Sequence, residues 1–207
     1  MYITYIIIGV TVLVSFYAFQ SQAVLASFMM NPYSVHQKQQ YFRFITSGFI
    51  HKDHTHLLWN MFSLYFFGTG IEREFLMMFG TSVGLYFIAL YILAIIVSDL
   101  PTYFKHRDNP RYNSLGASGG VSAVIFAYII FEPLSDICIY IALCMPGFIL
   151  GALYILFSWY QGRRSSDNIN HDAHLYGALF GLIFCVIVAP SSIGHFIEQI
   201  KTWSVIN

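Results

Sequence analysis

Six apolar stretches alternate with polar connections along the 207-residue chain, over about residues 2–19, 56–71, 75–98, 114–131, 137–160 and 173–196. Most approach the roughly 20 residues that an α-helix needs to cross hydrocarbon. They are continuously apolar rather than alternating, which favours helices over strands. All twenty Asp, Glu, Lys and Arg residues fall outside them. The pattern predicts an all-α, polytopic bundle of six transmembrane helices, filling residues 1–207 as one membrane domain. The stretch over 2–19, followed by Ser21-Gln22-Ala23, has the outline of a signal peptide but lacks the basic start such a peptide needs, so it is read as the first span.

The connections differ in character. Residues 20–55 form a segment too long for a plain link, carrying Phe28-Met29-Met30, Pro32, Tyr41-Phe42 and Phe49-Ile50, and part of it is expected to lie in the membrane interface. Residues 99–113 are rich in turn formers (Pro101, Asn109-Pro110), and residues 161–172 contain Gly162 and Ser165-Ser166-Asp167-Asn168. Glu72-Arg73-Glu74 and residues 132–136 are short links.

Composition sharpens the class. Charged residues make up 10% of the chain and hydrophobic residues 57%, whereas a soluble domain carries roughly 25% charged residues. Too few charges remain to clothe a water-facing surface. A net charge of +0 argues against a nucleic-acid partner. Cys138, Cys144 and Cys185 lie inside apolar stretches without metal-ligand spacing and are read as buried free thiols.

Helix parity then gathers the polar residues. Helices two, four and six run in one direction, so their N-termini share one side of the membrane. His56 opens the second, Ser118 sits about one turn into the fourth, and His174 begins the sixth. Polar groups at the margins of spanning helices are functional candidates.

Ser118 lies among Gly116, Gly119 and Gly120. It is placed in a first turn, where unpartnered N–H groups and the positive dipole end suit an oxyanion. His174 is followed by Gly177, Ala178 and Gly181 on its own face, a smooth stripe that invites the Gly116/Gly120 helix to pack closely. That packing would bring His174 to Ser118 as a general base. His56 and Asn60, at i and i+4, share a face and could donate to an oxyanion or simply join two helices. His51 and His54 are read as loop or interface residues, and His36, His106 and His195 carry no signal. The clustered histidines lack HExxH spacing, cysteine ligands and a carboxylate within a span, so neither a metal nor a cofactor is expected. Gly116-Ala117-Ser118-Gly119-Gly120 also fits GxSxG, but the strand that the hydrolase elbow requires is missing from the pattern.

From Arg43 to Gly181 the chain resembles the rhomboid family of intramembrane serine proteases. Three motifs in the family's order carry the likeness: His56-x-x-x-Asn60, Gly116-x-Ser118-Gly119 and Ala173-His174-x-x-Gly177-x-x-x-Gly181. The resemblance implies a dyad without an acid, with Ser118 as nucleophile and His174 as base. It assigns the oxyanion hole to the Ser118 N–H and the side chains of His56 and Asn60, and has Gly116 shape the turn. Its substrates would be transmembrane segments of other proteins, within the lipid bilayer. It implies a multi-pass protein of a bacterial-type cell membrane whose site opens to the non-cytoplasmic side. The alternative on the same scaffold is a catalytically inactive protein that binds transmembrane segments for trafficking or degradation.

Three departures stand out. Many members have an aromatic residue four positions after the serine, stacked on the histidine; here that position is Ser122, so orienting His174 falls to other contacts, Tyr176 or a hydroxyl. The family's Trp-Arg pair is missing from the first loop, where Arg43 stands in a Tyr-Phe-Arg-Phe context. The long-loop side carries eight basic residues (Lys38, Arg43, Lys52, Lys105, Arg107, Arg111, Arg163 and Arg164), the other side only Arg73 and Lys201. That bias places the long loops in the cytoplasm, against the family orientation.

Overall fold

The computed structural model describes residues 2–139, 143–164 and 169–203. It is a bundle of apolar helices. Helix α1 spans Ile3–Gln20. The first long connection folds into α2 (Gln22–Phe28), α3 (Pro32–Lys38) and α4 (Arg43–Thr46). Then come α5 (His54–Phe79), α6 (Val83–His106) and α7 (Ser118–Phe131). A hairpin of β1 (Asp136–Ile139) and β2 (Leu143–Pro146) leads into α8 (Gly147–Arg164), α9 (His171–Val188) and α10 (Ser191–Thr202). Among the described residues, three helical stretches have the length and hydropathy to cross a membrane: Ile3–Gln20, His54–His106 and His171–Val188. The second of these is α5 and α6 joined by a tight turn at Gly80–Ser82, with Gly80 at φ 55°. Helix α7 is apolar but shorter.

Helix α7 is the axis. Its residues are buried around its whole circumference, from Gly119 and Gly120 to Ile130 and Phe131, as expected of a helix apolar on every face. Helices α5, α6, α8 and α9 surround it. Helix α1 joins from outside through the stripe Thr4, Ile7, Thr11, Ser15 and Ala18, which follows the 3.6-residue period.

Four expectations need correction. First, two carboxylates lie inside helices. Glu72 is buried within α5, where it accepts from the N–H groups of Ile3 (3.1 Å) and Thr4 (3.2 Å) and from the Thr4 hydroxyl (2.9 Å). It thereby serves the unpartnered donors and positive dipole end of α1, which offsets the cost of its burial. Asp99 is buried within α6, because that helix continues through Pro101 to His106, and it accepts from the Ser47 hydroxyl at 3.3 Å.

Second, the stretch over 137–160 is not one helix. Its first part is the antiparallel hairpin, and α8 starts only at Gly147. Third, Cys138 and Cys144 face each other across the hairpin and form a disulfide, leaving Cys185 as the buried free thiol among the described residues. Cross-strand partners have close Cβ atoms whatever their polarity, which hydropathy does not register. Fourth, the last helix ends at Val188, and a break at Ala189 and Pro190 turns the chain into α10.

In the first connection, Arg43 is buried and its guanidinium donates to the carbonyls of Ala26 (2.9 Å) and Met29 (2.6 Å) and to Gln40 (2.7 Å). Tyr41, Phe42 and Ile45 beside it point outward. The Arg43 fork ties the connection into one body, so its exposed aromatic residues form a fixed edge.

Candidate functional site

Ser118 stands at the N-terminus of α7 because the chain reverses immediately before it. Gly116 adopts φ 123°, a conformation that side chains disfavour. A Cβ there would also meet Cε1 of His56 at 2.6 Å and Nε2 at 2.9 Å, so the imidazole takes the space that a side chain at 116 would need. The Gly116 N–H donates to the Ser47 carbonyl at 2.9 Å. The Ala117 N–H donates to Nε2 of His51 at 3.4 Å. Nε2 is therefore the acceptor nitrogen, and Nδ1 carries the proton, 2.9 Å from the Ser15 hydroxyl. Ser15 in turn donates to the Phe49 carbonyl at 3.0 Å. A single chain of hydrogen bonds thus runs from α1 to the turn before Ser118. His51 is fully buried, and burial, helped by the neighbouring His56 ring, pushes its pKa down to about 3. It is neutral at physiological pH, as its acceptor role requires.

Helix α5 presents His56 and Asn60 to the same space. Asp53 caps the helix by accepting from the His56 N–H at 2.7 Å, and this bond holds the Asp53 carboxylate below its ordinary range. One Asn60 amide hydrogen goes to the His56 carbonyl at 3.1 Å. Nδ1 of His56 is buried without a protein acceptor or donor.

His174 lies in the first turn of α9, which is capped by Asn170: its side-chain oxygen accepts from the Ala173 N–H at 3.1 Å. Asn170 is itself held by the Thr102 hydroxyl of α6 at 3.0–3.1 Å, and Lys105 reaches Asp172 at 3.1 Å. Farther along, α9 meets α7 backbone to backbone. A Cβ at Gly177 would collide with the Gly119 carbonyl, and one at Gly181 with that of Ala123. The glycine stripe of α9 does pack on the serine helix, as its smooth face predicts, but its partners are Gly119 and Ala123 rather than Gly116 and Gly120. Gly120 faces Tyr91 and Ile95 of α6 instead.

These elements enclose an open cavity of about 1030 Å³. Ser118, His174, His56 and Asn60 all line it, with Ser122, Tyr154 and Trp59 among the walls. Behind Ser118 is a second, small cavity of about 20 Å³ lined by Ser98, Asp99, Ser114 and Asn170. That is room for a single water with polar partners.

The four residues singled out from the sequence therefore line one cavity. Sequence reasoning missed His51, Asp99 and Tyr154. The His51 ring lies 4.9 Å from that of His56, a proximity that five residues of loop spacing do not reveal. Tyr154 lies with Gly147, Gly151 and Ser158 at i, i+4, i+7 and i+11 on one face of α8, a period that was available to be read. It is Tyr154, and not Tyr176, that lies parallel to the His174 ring (centroids 6.3 Å apart, planes at 20°), while Tyr176 is exposed.

Fold and site together define a helical membrane protein with a polar recess lined by serine, histidine and asparagine. The Rhomboid domain model matches residues 38–191. The chain is 31% identical over 155 residues to the RHOMBOID-like protein 12, mitochondrial, of Arabidopsis thaliana, covering 67% of this chain and 44% of that protein. It is 25% identical over 181 residues to the Rhomboid-like protein 11, chloroplastic, of the same plant, covering 82% and 60% respectively. The chain belongs to the rhomboid family. It spans less than two thirds of the length of either relative.

Proposed function

We propose that this protein is an intramembrane serine endopeptidase that cleaves other membrane proteins within or beside their transmembrane segments. The observation that carries this reading is the convergence of Ser118, His174, His56 and Asn60 on one cavity among apolar helices. In this reading α1, α5, α6, α7, α8 and α9 are the six membrane crossings.

The chemistry follows from the residue types. His174 takes the hydroxyl proton of Ser118 as Oγ attacks the scissile carbonyl. The tetrahedral oxyanion forms beside the N-terminus of α7, where the Ser118 N–H and the dipole favour negative charge, with His56 and Asn60 donating from α5. The protonated His174 then delivers the proton to the leaving amine as the C–N bond breaks. Water attacks the acyl-enzyme, giving a proton to His174, which returns it to Ser118 Oγ as the ester C–O bond breaks and the new carboxylic acid leaves. Lipid supplies no water, so the polar cavities around Ser118 are what make hydrolysis feasible there.

Orientation is a finer part of the proposal. The helix directions put the hairpin at the end of the bundle remote from Ser118. The Cys138–Cys144 disulfide there suits an oxidising compartment. The eight basic residues named above lie at the cavity end. Both observations favour a cavity that opens toward the reducing, positive-inside face, opposite to the orientation the family resemblance implies.

The reading is tested by reconstituting the protein in liposomes with a single-span substrate. Wild type is expected to cleave it, and Ser118→Ala is expected to be inactive while keeping its fold by circular dichroism. Cleavage that persists in Ser118→Ala would overturn the mechanism.

A further inference from the structure

The His174 ring has an aromatic neighbour that comes from neither of the helices carrying the candidate dyad. Tyr154 projects from α8, with its ring 6.3 Å from that of His174 and inclined by 20°, an offset-stacked arrangement. Its hydroxyl lies 2.7 Å from the Ser122 hydroxyl. Ser122 is buried, one turn along α7 from Ser118, and occupies the position where an aromatic side chain is missing from this sequence. A ring on α7 at that position would compete for the space Tyr154 fills. The two replacements fit together: a small hydroxyl residue on α7 both vacates room and anchors the ring that α8 supplies.

Helix α8 itself is lightly seated. Only Gly147, Gly151 and Ser158 are buried along it, whereas Leu153, Leu156, Phe157, Trp159 and Tyr160 are exposed. The Ser122–Tyr154 bond is therefore a polar tether between α8 and the helix of the nucleophile, and it lies next to His174.

We infer that Tyr154, anchored by Ser122, is a positioning residue for His174, so that the orientation of the base depends on how α8 is seated. The inference rests on the protease reading for its kinetic consequence but not for its geometric one. Without the ring, the imidazole retains its place on α9 and its edge contact with the His171 ring (centroids 5.8 Å apart) but loses the parallel ring that limits its rotation from the side of α8. A misdirected base costs turnover more than binding.

The test compares wild type with Tyr154→Leu, Tyr154→Phe, Ser122→Ala and the Ser122→Ala/Tyr154→Phe double variant. Two readouts are used: cleavage kinetics in liposomes, and the ring-proton NMR signals of His174 in micelles, assigned by their loss in His174→Gln. Tyr154→Leu is expected to lower kcat by about 10- to 100-fold with KM unchanged, and to shift the His174 signals by removing the ring current. Tyr154→Phe keeps the ring and breaks only the tether, so its loss is expected to be a few-fold. Ser122→Ala should match it, and the double variant should be no worse than either alone, because both remove the same bond. Equal kcat and unmoved His174 signals in Tyr154→Leu would overturn the inference. If wild type cleaves nothing, the protease reading fails. The His174 signals still decide the geometry: a shift in Tyr154→Leu supports positioning, and superimposable spectra reject it.

Discussion

Helices α8 and α9 flank the same central helix, both are 18 residues long, and both turn small residues toward it, yet they are held in different ways. Helix α9 presses its backbone onto that of α7 at Gly177 and Gly181, where no Cβ fits. Helix α8 approaches α7 at Gly147 and Gly151, but there a Cβ would meet side-chain atoms of α7, those of Ile129 and Phe126, at 3.3 Å. Backbone contact fixes distance, since neither partner can give. Side-chain contact leaves freedom, since rotamers adjust. The helix that carries His174 is thus locked to the helix of Ser118, and the helix that carries only the supporting Tyr154 is not. Geometry that the proposed chemistry requires is built into the backbone, and geometry that would tune it is left to side chains.

The largest effect should come from breaking the locked seam. Gly177→Leu forces α9 away from α7 and is expected to cost roughly 3 kcal/mol or more, read as loss of unfolding resistance in micelles together with loss of activity. A seam that accepted leucine with unchanged stability would contradict the backbone contact.

An effect that is smaller at neutral pH and grows only in acid belongs to the His51 chain, which holds the turn before Ser118 from the side of α1. Because burial depresses the His51 pKa from about 6.5 to about 3, the unfolded chain binds a proton there before the folded one does. The sign follows: His51 contributes fully above pH 6.5, and stability is lost as pH falls through the window down to about 3, by up to about 1.4 kcal/mol per pH unit. His51→Gln preserves an acceptor and a donor without titrating. It is expected to flatten the acid limb of the unfolding free energy, measured between pH 7 and pH 4. An acid limb of equal slope in the variant would remove His51 from the account.

The smallest effect tests the loose side. Gly151→Ala asks Ile129 and Phe126 to yield by a few tenths of an ångström, while alanine gains helix propensity over glycine by about 1 kcal/mol. The net change in stability is expected to stay below about 1 kcal/mol. A loss as large as that in Gly177→Leu would erase the contrast between the two helices.

The sequence made the locked side legible and the loose side obscure, for physical reasons. A glycine stripe at i, i+4 is a statement about backbone approach, so Gly177 and Gly181 announced their role, even though the partners proved to be Gly119 and Ala123. Helix parity placed Ser118, His56 and His174 at one end because the direction of a helix does not depend on where its ends fall. Hydropathy could not find those ends. It stopped α5 short of Glu72 and α6 short of Asp99, because it charges each carboxylate its full burial cost and does not see the partners that offset it, the N-terminus of α1 and the Ser47 hydroxyl. It also read residues 137–146 as helix, since two short apolar strands are indistinguishable from a helical segment by apolarity alone. His51 and Tyr154 escaped because each acts through a partner distant in sequence: Ala117 in one case, Ser122 and His174 in the other.

The central claim is that Ser118 is a nucleophile activated by His174. Labelling with a serine-reactive fluorophosphonate in liposomes, followed by identification of the modified peptide, tests it most directly. The account predicts a label on Ser118 in wild type, lost in Ser118→Ala and strongly slowed in His174→Ala. A label on Ser118 that forms as fast in His174→Ala as in wild type, or no label on Ser118 at all, would contradict it.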